Sequence, residues 1–235
     1  MVHQFHKRSR ALASFITIFL LLLGVSVACS SNTAPPVVDS PAADLDLKVS
    51  ISDIYTPAST VLCGVQFFQD GHLVQLGGNA SISCEGSFLT LTPGIYAYMA
   101  QVPRRPSGAT YSIGYWHSSG LRAAEIPSRD QPVILAPSPH SVVTRSAGLS
   151  ISYTPAASAG VRGNVSDASQ ARGGTPDLQA DNGTYTGIDT RPLNAGPGSV
   201  SITREYDGQA ANPGGFKSVT YTYYISSAEV DVVWQ

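Results

Sequence analysis

The stretch "VLCGVQFFQDGHLVQL", residues 61–76, decides the fold. Val61, Cys63, Val65 and Phe67 share one side of an extended chain, because successive side chains of a strand point to opposite faces. Asp70–Gly71 then supplies a two-residue turn that tolerates positive φ, and a second apolar run follows. The spacing predicts a β-hairpin. The same alternation continues along the chain. "SISC" (81–84) puts Ile82 and Cys84 on one face, and "GIYAYMAQV" (94–102) aligns Tyr96, Tyr98, Ala100 and Val102. "RRPSGA" (104–109) turns the chain into "TYSIGYW" (110–116).

The second half repeats the style. "GLSISYTP" alternates Leu149, Ile151 and Tyr153; "GSVSITREY" alternates Val200, Ile202, Arg204 and Tyr206. "FKSVTYTYYI" aligns Val219, Tyr221 and Tyr223, and "AEVDVVWQ" aligns Val230, Val232 and Trp234. Beyond residue 28, apolar residues never recur at helical spacing for more than a turn. Short alternating runs with turn signals between them predict an all-β chain of β-sandwiches. Some 190 residues suit two sandwiches, with the boundary near "PSRDQP" (127–132) and a fresh first strand at "VILAP". The expected division is 45–130 and 131–235; one larger sandwich is the alternative, since single all-β domains can be long.

The N-terminus follows a different logic. Lys7, Arg8 and Arg10 precede the uncharged run "ALASFITIFLLLLGVSVA" (11–28), which ends in small residues. A basic region, an apolar core and a small-residue exit make a secretory signal peptide over 1–28. A retained membrane anchor is the alternative, because eighteen apolar residues can just cross a bilayer. "SVAC" followed by "SSNTAPPVVDSPAAD" resembles a bacterial lipoprotein signal, with Val27 and Ala28 fitting and Ser26 where the family usually has Leu. That resemblance implies that Cys29 carries the lipid and begins the mature chain. Residues 29–44, rich in Ser, Pro and Ala, then read as a flexible tether.

"LTPGIYAYM" (91–99) resembles the corner before the sixth strand of immunoglobulin-like domains, with Gly94, Tyr96 and Tyr98 in its slots. The sequence departs from antibody-type domains, which would carry Cys at 98. The resemblance implies two immunoglobulin-like sandwiches in the broad sense.

Cysteine use agrees with export. With Cys29 lipidated, Cys63 and Cys84 remain as one pair, and an oxidising compartment would join them. Such a bridge is worth about 3 kcal/mol in the chain-entropy account. A zinc site is the weaker reading, since two cysteines without nearby histidines make a poor set. Three of the 14 basic residues and none of the 16 acids lie in 1–28, so the rest carries 11 and 16, a net of −5. No basic block survives for nucleic acid or anionic lipid.

Catalytic signals are sparse. No G-x-S-x-G elbow occurs. His72 and His140 sit by turns and read as solvated. "DNGTYTGID" (181–189) offers Asp181, Asn182 and Asp189 as oxygen ligands, but at a spacing that suits turns better than calcium. No cofactor or metal is expected. In "YSIGYWHSSG" (111–120), alternation sends Tyr111, Ile113, Tyr115 and His117 inward, and Ser112, Gly114 and Trp116 outward. An outward Trp116 beside Gly114 and Ser112 is a candidate binding surface. Taken together, the sequence reads as a lipid-anchored, extracytoplasmic, non-catalytic binding or structural module of the cell envelope. Its candidate partners are a wall polymer, a glycan or an envelope protein. The alternatives are a weak glycosidase or hydrolase accessory protein, and an envelope enzyme inhibitor acting through one long loop at 156–182.

Overall fold

The computed structural model describes residues 34–54, 59–169 and 177–235. The signal peptide at 1–28 and Cys29 lie outside the described residues. The described chain is all-β apart from one 3₁₀ turn at Ala42–Asp44. The first half holds β1 (Val37–Val38), β2 (Asp46–Asp53), β3 (Thr60–Gln69), β4 (His72–Leu76) and β5 (Ser81–Cys84). It continues with β6 (Ser87–Phe88), β7 (Thr90–Thr92), β8 (Ala97–Pro103), β9 (Thr110–His117) and β10 (Gly120–Pro127). The second half holds β11 (Val133–Ala136), β12 (Val142–Val143), β13 (Leu149–Thr154), β14 (Gly160–Asp167) and β15 (Gln179–Ala180). It ends with β16 (Thr184–Ile188), β17 (Gly196–Gln209), β18 (Ser218–Ser226) and β19 (Val230–Trp234).

The expected hairpin at 61–76 is β3 and β4, and Asp70 and Gly71 take the positive φ values, 51° and 81°, that its turn needs. Two sandwiches form, each with its own core. In the first, β2, β3 and β8 make one sheet and β10, β9, β5 and β6 the other. In the second, β11, β13 and β16 face a layer of β19, β17, β14 and β15, with β12 running parallel to β19. Both halves thus repeat the first-second-fifth against third-sixth-seventh strand arrangement of immunoglobulin-like sandwiches.

The tyrosine corner lies elsewhere than at 94–98. Tyr96, in the corner position, lies in the turn before β8 with a positive φ of 50°, and Tyr98 enters β8, on the sheet of β2 and β3, where its hydroxyl accepts from Leu76 N at 2.8 Å. The strand in the sixth position is β9, and there Tyr111 Oη accepts from Arg105 N at 3.0 Å, six residues upstream. Ile113, two residues on, fills the core slot.

The division at 130–131 separates the two strand sets, but one long hairpin crosses it. The N-terminal part of β17 pairs with β19 inside the second sandwich. Its C-terminal part pairs with β18, and β18 runs parallel to β2 over the full length of that strand. Tyr206, Phe216, Val219, Tyr221, Tyr223 and Ile225 therefore belong to the first core. The hairpin tip folds over the open edge of β10, where Asn212 O accepts from Glu125 N. Gly214 makes this approach possible: a Cβ there would sit 1.8 Å from Ala123 O. The linker is fixed to the same hairpin. Arg129 donates to Tyr221 Oη at 2.7 Å and stacks 4.9 Å over Tyr206, while Gln131 Nε2 donates to Ser226 O at 2.6 Å.

The stretch expected as a tether is ordered from residue 34. β1 runs parallel to β4, Ser40 O accepts from Tyr115 Oη at 2.8 Å, and Ala42 is buried in the first core. Val38 and Ala42 pack against the first core and give this segment surface to bury, which a solvated tether lacks.

The second core holds a charge pair. Arg204 Nε donates to Asp181 Oδ2 at 2.6 Å, with both side chains fully buried. A further guanidinium N–H donates to Pro155 O, and the group lies 5.5 Å over the Tyr153 ring.

Two results are expected. A fragment of residues 34–130 lacks β17 and β18, so it gives no near-UV circular dichroism, whereas residues 34–235 do. Arg204→Met strands a buried carboxylate and costs about 3–5 kcal/mol in denaturant titration, and adding Asp181→Leu recovers most of that loss.

Candidate functional site

The outer face of the sheet β10–β9–β5–β6 carries the site. Tyr111, Ile113 and Tyr115 of β9 point inward and are fully buried, as their alternation requires. Burial, then the nearby Asp39 carboxylate, pushes the Tyr115 hydroxyl up to about 12. Trp116 points outward and is 49% exposed. Pairing sets its neighbours. Ser81 of β5 and Leu121 of β10 stand directly opposite Trp116. In the next row Phe88, Ser83, Gly114 and Ala123 cross the sheet in register. Leu121 and Phe88 are also exposed, at 46% and 68%.

Gly114 is the low point of this surface. It is itself buried, because Ser83 Oγ and Leu121 Cδ1 close over the place where its Cβ would stand, at 2.9 and 3.7 Å. Ser83 Oγ donates to Gly114 O at 3.3 Å. Ser112 stays exposed one row away, its N–H donating to Glu85 Oε1 at 2.7 Å. The three residues singled out from the sequence therefore share one face. Sequence reasoning missed Leu121, which strand register sets opposite Trp116, and Phe88, which it sets on the same face two strands away in the next row. An exposed indole with Leu121 opposite it, over a floor of Gly, Ala and Ser, can stack a flat ring and hydrogen-bond its rim.

His117 ends the same strand. Its Nε2 lies 3.0 Å from Asp39 Oδ1, and its Nδ1 lies 3.0 Å from Ser119 Oγ. The grouping has the members of a serine hydrolase triad. The N–H of Ser119 donates to the same Nδ1 at 3.2 Å, so it is turned away from an oxyanion position. The contacts instead pin β1 and the β9–β10 turn together. His72 and His140 are exposed. Among the described residues, no cluster of three or more His, Cys, Asp or Glu side chains could hold a metal. The 181–189 oxygens are committed to the fold: Asp181 to Arg204, Asn182 to the N–H of Thr184, and Asp189 to Arg191.

Two expectations are corrected. Cys63 of β3 and Cys84 of β5 are free thiols rather than a disulfide. They meet across the core by hydrogen bonding, and that contact, followed by burial, pushes the Cys63 thiol well up. The segment 156–182 is not one long inhibitory loop. β14 occupies 160–167 as an interior strand against β17, and β15 pairs back onto it; residues 170–176 lie outside the described residues.

No family model and no curated protein matches the chain. Solved structures do match. A biofilm-associated protein BSP domain aligns at 20% identity over 77% of this chain and 30% of its own, with a TM-score of 0.23. The Bacteroides ovatus surface protein SGBP-B, in complex with a mixed-linkage heptasaccharide, aligns at 12% identity over 91% and 69%, with a TM-score of 0.23. Fibronectin(III)-like modules of Clostridium thermocellum CbhA align at 14% identity over 80% and 92%, with a TM-score of 0.24. The chain spans under a third of the first of these.

Acrylamide quenching separates the two tryptophans. Trp234 is 1% exposed, its Nε1 donates to Ser166 O at 2.9 Å, and a Cβ on Gly198 would sit 1.9 Å from that nitrogen. Quenching is expected to follow Trp116 alone, so Trp116→Phe leaves emission that acrylamide barely reduces.

Proposed function

We propose that the chain is a lipid-anchored, extracytoplasmic binding module of the cell envelope, and that its outer β9 face holds a neutral glycan or wall polymer. The single observation that carries this reading is the outward exposure of Trp116 with Leu121 opposite it, and of Phe88 on the same sheet face, with Ser81 and Ser112 beside them. Large exposed apolar groups in one patch mark interaction surfaces. Aromatic rings give area at little entropic cost, and serine hydroxyls beside them suit a ligand with an apolar face and a hydroxyl rim. Glu125 on the same face and the net charge of −5 beyond residue 28 disfavour anionic polymers.

The signal pattern at 11–28 and Cys29 support the anchor. Ala34, the first described residue, lies five positions after Cys29, and five residues reach at most about 18 Å. The first sandwich would then be held close to the membrane, facing polymers that lie against it. Turnover is not part of this reading, which rests on a surface and not on a cleft with paired acids.

Trp116→Ala is expected to weaken retention on insoluble envelope glycan by tenfold or more, about 1.4 kcal/mol, with the thermal midpoint unchanged. Equal retention by wild type and variant would refute the assignment of this face.

A further inference from the structure

A second surface lies on the opposite side of the first sandwich. The outer face of the sheet β3–β2–β18–β17 carries a groove of about 330 Å³. Register explains it. One row across the sheet runs Gln66, Lys48, Thr220; the next runs Gly64, Ser50, Thr222, Asp207. The second row is low at Ser50, beside the long side chains of Lys48 and Gln66. Half of this groove comes from β2 and β3. The other half comes from the hairpin that reaches across from the second sandwich.

Its chemistry is specific. Ser50 is 3% exposed, and among the described residues its Oγ has no hydrogen-bond partner. A buried hydroxyl left unpaired costs free energy that a bound group can recover. Gln66 Nε2 is spent on Ile95 O, which leaves its oxygen as an acceptor. Thr222 Oγ1 donates to Asp207 Oδ1 at 2.7 Å, holding that carboxylate in place with an oxygen still open to a donor. Lys48 lies 4.6 Å over the Phe68 ring, which fixes its ammonium at the rim. One ammonium and one carboxylate cancel. The groove therefore suits a neutral ligand that both donates and accepts at several points. A phosphate or sulfate would meet Asp207, and an apolar ligand would leave these groups unpaired.

We infer that this groove is a second ligand site, for a neutral hydroxyl-rich molecule of the saccharide class, separate from the Trp116 face. It does not rest on the Trp116 reading. With sites on both outer faces of one sandwich, a single chain would engage two polymer segments and gain from their linkage.

The test is amide chemical-shift mapping of residues 34–235 with glucose, mannose and N-acetylglucosamine tetraoses. The expected result is a shift of the Ser50, Thr222 and Asp207 amides by at least one tetraose. Asp207→Ala with Lys48→Ala should weaken that response at least tenfold and leave any response at Trp116 intact. Both substituted side chains are exposed, so the fold is retained. Trp116→Ala should leave the groove response unchanged. Failure of all three tetraoses to shift the groove amides would overturn the inference, as would an unchanged response in the double variant. A response confined to the Trp116 face would overturn this site while leaving the first one standing.

Discussion

The parallel pairing of β18 with β2 is the constraint on which the rest of this structure depends. It joins a strand near the end of the chain to one near its beginning, over eight residue pairs from Ser218–Asp46 to Ile225–Asp53. Without it, β2 would have an open edge and the first core would lose six side chains contributed by the hairpin. Exposed strand edges invite pairing with other chains, so closing this one within the molecule also protects it. The loop at the hairpin tip does the same for β10. Such long-range pairing is bought with loop-closure entropy, and the buried tyrosines of β17 and β18 supply the apolar surface that offsets it.

This arrangement fixes what the chain can present. Arg129 and Gln131 bind the linker to the hairpin that joins the sandwiches. The Trp116 face and the Lys48–Asp207 groove are outer faces of two sheets that share one core, so the packing of Tyr111, Tyr115 and Phe67 between them holds both in register. Surfaces on strands are more rigid than surfaces on loops, and ligand ordering then costs less on binding.

Much of the fold was legible in the sequence because strand alternation is a local signal. The hairpin at Asp70–Gly71, the inward Tyr111, Ile113 and Tyr115, and the outward Trp116 all follow from period-two patterning. Register between distant strands leaves no such trace. Nothing local to "FKSVTYTYYI" says that Val219, Tyr221 and Tyr223 fill the first core, nor does "GLRAAEIP" reveal that Leu121 stands beside Trp116. Tyr96 has the pattern of the corner because a turn glycine precedes it and a core tyrosine follows two places on, yet it sits in the turn before β8. Tyr111 carries the equivalent signal, a tyrosine after a Pro-Ser-Gly turn and two places before a core Ile. The segment at 34–44 has the composition of a tether, yet Val38, Ala42 and the pairing with β4 dock it. Cys63 and Cys84 were correctly placed on apolar faces, but position alone did not decide their covalent state.

Native-state hydrogen exchange reads whether β18 and β2 open together. If the hairpin welds the two sandwiches into one unit, amides of β2 and β18 exchange at the same slow rate, through the same global opening as those of β17, and denaturant changes all three in parallel. If β18 exchanges faster than β2 through a separate, local opening, the hairpin is an accessory flap and the account of a single rigid body is contradicted.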